Sequence, residues 1–259
     1  MPDQIHINPV YASWFPKSVR GSIEAMARHA NLDVSQHRKR SLVKASTLKD
    51  DQGRPLNIHF KAYAKRSHAF DGFARRSIGR VEAETLQNFH RWHIRTPDVV
   101  AWGTRRSLFG LASDLSFIIT QSAPDTLTLL DYWLSLDQPA ESTTRNHIID
   151  TLAEQTRQLH AKRFYHRDLK WRNVLIDRQG SLPQVWWIDC PSGHFSRLGP
   201  RQKHGRIKDL ATLDMVARKR CTKEERLRFV QVYLNEPSIT ATVEAWAKAV
   251  DRYRQTRFD

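Results

Sequence analysis

The chain has 259 residues, 40% hydrophobic and 27% charged, a balance that excludes a disordered or fibrous chain and a small stapled scaffold. Its two cysteines, Cys190 and Cys221, stand in no CxxC or Cys/His spacing, so neither a disulfide framework nor a zinc site is expected, and a reducing cytoplasm is the simplest home. The formal charge of +15 and pI near 10.2 draw anions of several kinds, nucleic acid, lipid headgroups or a phosphorylated substrate, and do not choose among them.

Residues 1–37 read as a lead-in with an aromatic segment, YASWFP, and one helix over IEAMARHANL; no chemistry is assigned to it. The opening MPDQIHINPV carries no signal-peptide pattern and no run approaches 18 apolar residues, so the expectation is a chain neither exported nor membrane-spanning. SLVKAST, the turn-rich KDDQGRP and LNIHFKAYAK then read as a strand, a turn at Asp51 to Gly53 and a second strand. From Val81 to Trp92 the spacing predicts a helix with Glu82, Leu86 and Phe89 on one face and Glu84, Asn88 and Arg91 on another, which turns Glu82 inward and Glu84 outward.

VVAWGT and LSFIITQ read as strands, SAPD as a break and candidate hinge, and TLTLLDYWLSL as an amphipathic stretch. A long helix over Thr143 to Arg163 leads directly to Tyr165-His166. NVLID and QVWWID read as a hairpin whose strands end in Asp177 and Asp189. Of the two tryptophans on the second strand, Trp186 and Trp187, one is expected in the core and the other against a helix. Helices near 207–219, 223–234 and from about 238 complete the chain.

The chemistry concentrates in HRDLKWRN, residues 166–173, where Asp168 precedes Asn173 by five positions between a long helix and a strand. Phosphoryl transfer needs an acceptor hydroxyl held in line with the transferred group, a task for Asp168, while Lys170 in the same loop can offset charge on that group or simply pair with a carboxylate. Asn173, through its amide oxygen, and Asp189, at the end of the apolar strand VWWI, form a candidate Mg²⁺ pair of hard oxygen ligands. A lysine on the phosphates of ATP, fixed by a carboxylate, is met by Lys61 and Glu82, with Lys44 and Glu84 as second choices.

The segments IHFKAY, IRTPDVVAWG, FIITQ, QLHAKRFYHRDLKWRNVLI, WIDC, KDLATLD and ERLRFVQVYL resemble the lipopolysaccharide kinases, the Kdo and heptose kinases of the Gram-negative inner core, over roughly residues 40 to 235. The resemblance implies an α+β, two-lobed, protein-kinase-like fold: a small β-rich N-lobe at 38–122 and a larger, mostly helical C-lobe at 123–259, after the lead-in at 1–37. It implies ATP and Mg²⁺ as cofactors, Lys61 and Glu82 as the nucleotide pair, Asp168 as catalytic base, and Asn173 and Asp189 as metal ligands. Asp209 in KDLATLD matches a structural position behind the catalytic loop.

The implied acceptor is a sugar hydroxyl of lipopolysaccharide, reached from the anionic cytoplasmic face of the inner membrane by a peripheral, basic protein; no nucleic-acid partner is expected. The segment FSRLGPRQKHGRIKD brings Arg197, Arg201, Lys203, Arg206 and Lys208 where such an acceptor is presented. Two departures stand out. No GxGxxG precedes Lys61, and the tripeptide at the metal position is Asp189-Cys190-Pro191, which offers no phenylalanine to switch in and out. A protein or small-molecule kinase and an inactive kinase-like binding module are the alternatives.

Overall fold

A computed structural model describes residues 3–34, 41–64, 77–106, 113–136, 142–196 and 199–257. The chain divides into two compact units, 1–123 and 124–259, with the boundary inside the SAPD break.

In the first unit the described elements are β1 (Gln4–Ile7), α1 (Ile23–His29), β2 (Leu42–Lys49), β3 (Pro55–Ala64), α2 (Ile78–Arg91), β4 (Val99–Arg106) and β5 (Ser113–Gln121). The strands form one antiparallel sheet in the order β1-β4-β5-β3-β2. Strand alternation decides what each face carries. Leu56, Ile58, Phe60 and Ala62 of β3 join Phe117 and Ile119 of β5 in the main core, and the cover for this face comes from Tyr11, Phe15, Ile23 and Met26. The lead-in is thus part of the first unit's core. Arg105 on β4 ties it down through Asp3 at 2.7 Å and Glu24 at 2.5 Å.

The opposite face of β3 presents Lys61 and Tyr63, and α2 lies over it. The start of α2 is pinned to the sheet at two points: the Ser77 hydroxyl, its N-cap, meets Thr104 of β4, and Gly79 N donates to Ser116 Oγ of β5 at 3.2 Å. A methyl group at Gly79 would stand 2.5 Å from the Phe117 carbonyl oxygen, so only glycine admits this close approach of helix to strand.

The second unit contains β6 (Thr126–Thr128), α3 (Leu129–Ser135), α4 (Ser142–Ala161), β7 (Phe164–Tyr165), β8 (Val174–Asp177), β9 (Gln184–Trp187), β10 (His194–Phe195), α5 (Gly199–Arg220), α6 (Lys223–Leu234) and α7 (Ala241–Arg257). The stretch TLTLLDYWLSL divides into β6 and α3, with Thr128 capping the helix through Asp131 N at 3.2 Å. The β8–β9 hairpin pairs Val174 with Trp187 and extends to β6. Trp187 is the fully buried member of the tryptophan pair, and its indole N–H donates to Gln155 of α4.

Helix α5 begins at Gly199, eight residues before the sequence-based boundary near 207. Pro200 fits a first helical turn, where the missing N–H is no loss, and the mostly polar run 201–208 needs no apolar stripe because its residues are exposed or half-buried, none of them in the core. Helix α6 starts on a capping box between Thr222 and Glu225. No helix among the described residues is long and apolar enough to cross a membrane.

Candidate active site

In the first unit, Lys61 Nζ donates to Glu82 Oε1 at 2.9 Å, with the lysine side chain 13% exposed and the carboxylate 0%. The other carboxylate oxygen accepts from the Tyr63 hydroxyl. Tyr63 has no counterpart in the sequence reading, although it lies two residues from Lys61 and therefore on the same strand face. The second choices are engaged elsewhere: Lys44 donates to the Asn31 carbonyl and Glu84 pairs with Arg80 at 2.8 Å, one helical turn away. The pinned start of α2 explains the selection, because Glu82 follows Gly79 by three residues and so faces the sheet.

In the second unit, burial alternates over residues 168–171, where Lys170 N turns back to the Asp168 carbonyl at 2.9 Å and a 3₁₀ turn begins at Trp171. Leu169 and Trp171 are buried, while Asp168 and Lys170 are about one-third exposed. Trp171 Nε1 donates to the Leu213 carbonyl at 3.0 Å and its ring meets Trp133 edge-on at 5.4 Å. Burial of two such side chains contributes roughly 1.5–3 kcal/mol each, enough to hold the exposed pair in place from below. Lys170 Nζ lies 2.5 Å from Asp168 Oδ1, and Arg172 approaches Oδ2 at 4.0 Å.

Asn173 Nδ2 donates to the Asp168 carbonyl at 2.8 Å and reaches its carboxylate at 3.4 Å. With the amide nitrogen so engaged, the amide oxygen is the atom left to accept or to ligate. Ile188 N donates to the Asn173 carbonyl at 3.0 Å, which extends the β8–β9 pairing and sets Asp189 beside the end of the 166–173 loop. Asp189 has φ +59°, a left-handed conformation that aspartate tolerates and that ends the strand with a sharp turn. The following Cys190 is fully buried, its thiol directed at the His166 carbonyl at 3.8 Å. A small thiol is thus packed beneath the loop at the position after Asp189.

The loop is held from behind by Asp209 of α5. Its two carboxylate oxygens accept from His166 N and Arg167 N, each at 2.7 Å, and one of them also meets His160 Nε2 at 3.3 Å. His160 Nδ1 in turn lies 2.9 Å from the Tyr233 hydroxyl. Asp209, His160 and Tyr233 are all buried. Arg167 has φ +68°, so the carboxylate clamps the loop where its backbone is least comfortable. The His166 ring packs toward Trp187 at 5.9 Å, and its burial pushes the imidazole below its ordinary range despite Asp209, Asp168 and Asp189. It is neutral at pH 7.

Comparison with known families gives these arrangements their context. The model of the lipopolysaccharide kinase (Kdo/WaaP) family matches residues 65–233. The chain belongs to this lipopolysaccharide kinase family. Among solved structures it is similar to WaaP in complex with acyl carrier protein, with a TM-score of 0.61 and 21% identity over 83% of this chain and 86% of that one. The likeness establishes the kinase-like α+β fold. A search of curated proteins finds no match. Within the lipopolysaccharide kinase match lie Glu82, Asp168, Lys170, Asn173, Asp189 and Asp209, whereas Lys61 precedes it by four residues. Arg197 falls outside the described residues; Arg201, Lys203, Arg206 and Lys208 all stand on the first turns of α5.

Proposed function

We propose that this lipopolysaccharide kinase family member transfers the γ-phosphate of ATP to a sugar hydroxyl, of Kdo or heptose, in the lipopolysaccharide inner core. The observation that carries the proposal is the Asp168 carboxylate, about one-third open to solvent, bracketed by Lys170 and backed by Asn173 on a clamped loop. Asp168 accepts or orients the proton of the attacking hydroxyl, and Lys170 offsets charge on the group in transfer. Lys61, fixed by Glu82 and Tyr63, neutralises the phosphates of the nucleotide.

Among the described residues no three His, Cys, Asp or Glu side chains converge on a metal-binding position, and Mg²⁺ needs none, because it takes one or two protein oxygens and fills its shell with water and phosphate. Asn173 Oδ1 and Asp189 are of the right hardness to hold it, and its charge offsets that of the phosphates. The basic turns of α5 contact the anionic acceptor, and the +15 charge favours residence on the anionic cytoplasmic face of the inner membrane.

The test follows labelled γ-phosphate, with Mg²⁺, into lipopolysaccharide and into a general protein substrate, for the wild type and Asp168→Asn. Label in the glycolipid that vanishes in the variant supports the reading. Label in protein alone transfers it to a protein kinase, and no label with no ATP binding identifies an inactive binding module.

A further inference from the structure

Around Tyr165, at the start of the 166–173 loop, stands a second concentration of charge. Strand β10 pairs with β7 so that His194 stands opposite Tyr165, ring centroids 5.9 Å apart. Helix α5 closes on the same tyrosine: a methyl at Gly205 would lie 2.5 Å from Tyr165 Cδ1, so the helix backbone rests directly on the ring. Three and four residues beyond Gly205, and hence on the same helix face, are Lys208 and Asp209. The second of these fixes the Arg167 backbone at 2.7 Å. Arg206 lies close to the Tyr165 hydroxyl, and Arg167 and Lys208 lie close to His194, so Arg167, His194, Arg206 and Lys208 are gathered around one buried aromatic ring.

Among the described residues this charge goes without an ion-pair partner. Arg167 and His194 are exposed, Arg206 and Lys208 half-buried, and among the described residues none of the three permanent cations takes part in an ion pair. The buried Nε of Arg206 has no hydrogen-bond partner among the described residues. The carboxylate facing this group is Asp209, and its oxygens are occupied by two backbone N–H groups and His160. Burial and the charges of Arg167 and Lys208 hold His194 below its ordinary range, against the opposing pull of Asp209. Cations kept together at the cost of mutual repulsion fit a ligand that supplies the missing negative charge.

We propose that Arg167, His194, Arg206 and Lys208 form a subsite for a phosphate monoester already present on the acceptor, distinct from the phosphoryl group in transfer. Guanidinium forks and an ammonium group suit phosphate oxygens, and Asp168 is served by Lys170 and Arg172 instead. The inference rests on the lipopolysaccharide reading and places the reaction second: an earlier phosphorylation of the acceptor must supply the group that this subsite holds.

The experiment compares kcat/KM for lipopolysaccharide and for the same lipopolysaccharide treated with a phosphatase. The wild type is expected to favour the untreated acceptor at least about tenfold, through KM, and the double variant Arg206→Gln, Lys208→Gln to narrow that ratio to about twofold. Equal KM for both acceptors, or a folded variant that keeps the preference, overturns the subsite. If the double variant fails to fold, the exposed single substitution His194→Gln is expected to narrow the ratio in the same direction, and an unchanged ratio overturns the proposal.

A second arm needs no turnover: glucose 6-phosphate is titrated into the full chain while the His194 ring resonances are followed. A shift in the wild type that Lys208→Gln weakens supports the subsite, and an unmoved wild-type spectrum overturns it. A chain that phosphorylates no lipopolysaccharide but shows this shift loses its proposed function and keeps its subsite.

Discussion

The two charged pairs of the candidate site are built on opposite plans. Lys61 and Glu82 sit on a strand and a helix, with the carboxylate fully enclosed, so regular structure fixes the side chains and little water reaches them. Asp168 and Lys170 stand about one-third exposed on irregular backbone, and their precision comes from Asp209, which binds the loop's N–H groups rather than its side chains. Under the proposed function the difference has a reason: a pair that only holds a ligand can be sealed, whereas a group that exchanges a proton with an incoming hydroxyl must stay open and be located through its backbone.

The sharpest way to break this comparison is Asp168→Asn. An exposed substitution should leave the thermal midpoint within about 1 °C and lower turnover by about 10²–10⁴-fold; a midpoint that falls with activity would show the aspartate to be structural. Asp209→Ala should do both kinds of damage, since it strands two buried N–H groups at roughly 1–3 kcal/mol each; denaturant unfolding and single-turnover rates would measure the two losses separately.

Glu82→Gln comes next. It should cost about 3 kcal/mol by leaving the Lys61 charge uncompensated and raise KM for ATP more than it lowers kcat, a split that steady-state kinetics reads directly. Tyr63→Phe should cost about 1 kcal/mol, the value of one hydrogen bond, with the Lys61 pair intact.

The smallest effect concerns acid. Glu24 is held at about 2, chiefly by its hydrogen bonds to Arg105 and against the upward pull of burial. Its folded value is depressed, so its contribution is present above the ordinary 4.5 and is lost as pH falls toward 2. The midpoint of Glu24→Gln should therefore lie below wild type at neutral pH and converge with it near pH 2 in thermal scans.

Lys61 and Glu82 were legible in the sequence because strand alternation and the helical repeat each assign a face, and HRDLKWRN because its context is local. Tyr63 follows from the same alternation, but one tyrosine on a strand has an ordinary packing explanation and so carries no signal of its own. The contribution of residues 4–34 could not be read: Tyr11 and Phe15 lie in a short 3₁₀ turn without a repeat, Met26 on a helix of only seven residues, and their partners on β3, β4 and β5 are distant in sequence. The early start of α5 was hidden by Gly199, Pro200 and Gly205, which mark a loop by local rules yet here admit a helix against Tyr165. The clamp by Asp209 was suggested by family resemblance; its extension through His160 to Tyr233 depends on three helices meeting.

The pairing of β1 with β4 also governs how the chain tolerates shortening. β4 lies between β1 and β5, so removal of residues 1–8 would convert an interior strand into an edge and leave its N–H and C=O groups open to another copy. Trimming at this end would be felt first as self-association and poor recovery of soluble protein, with every residue of the catalytic loop still in place.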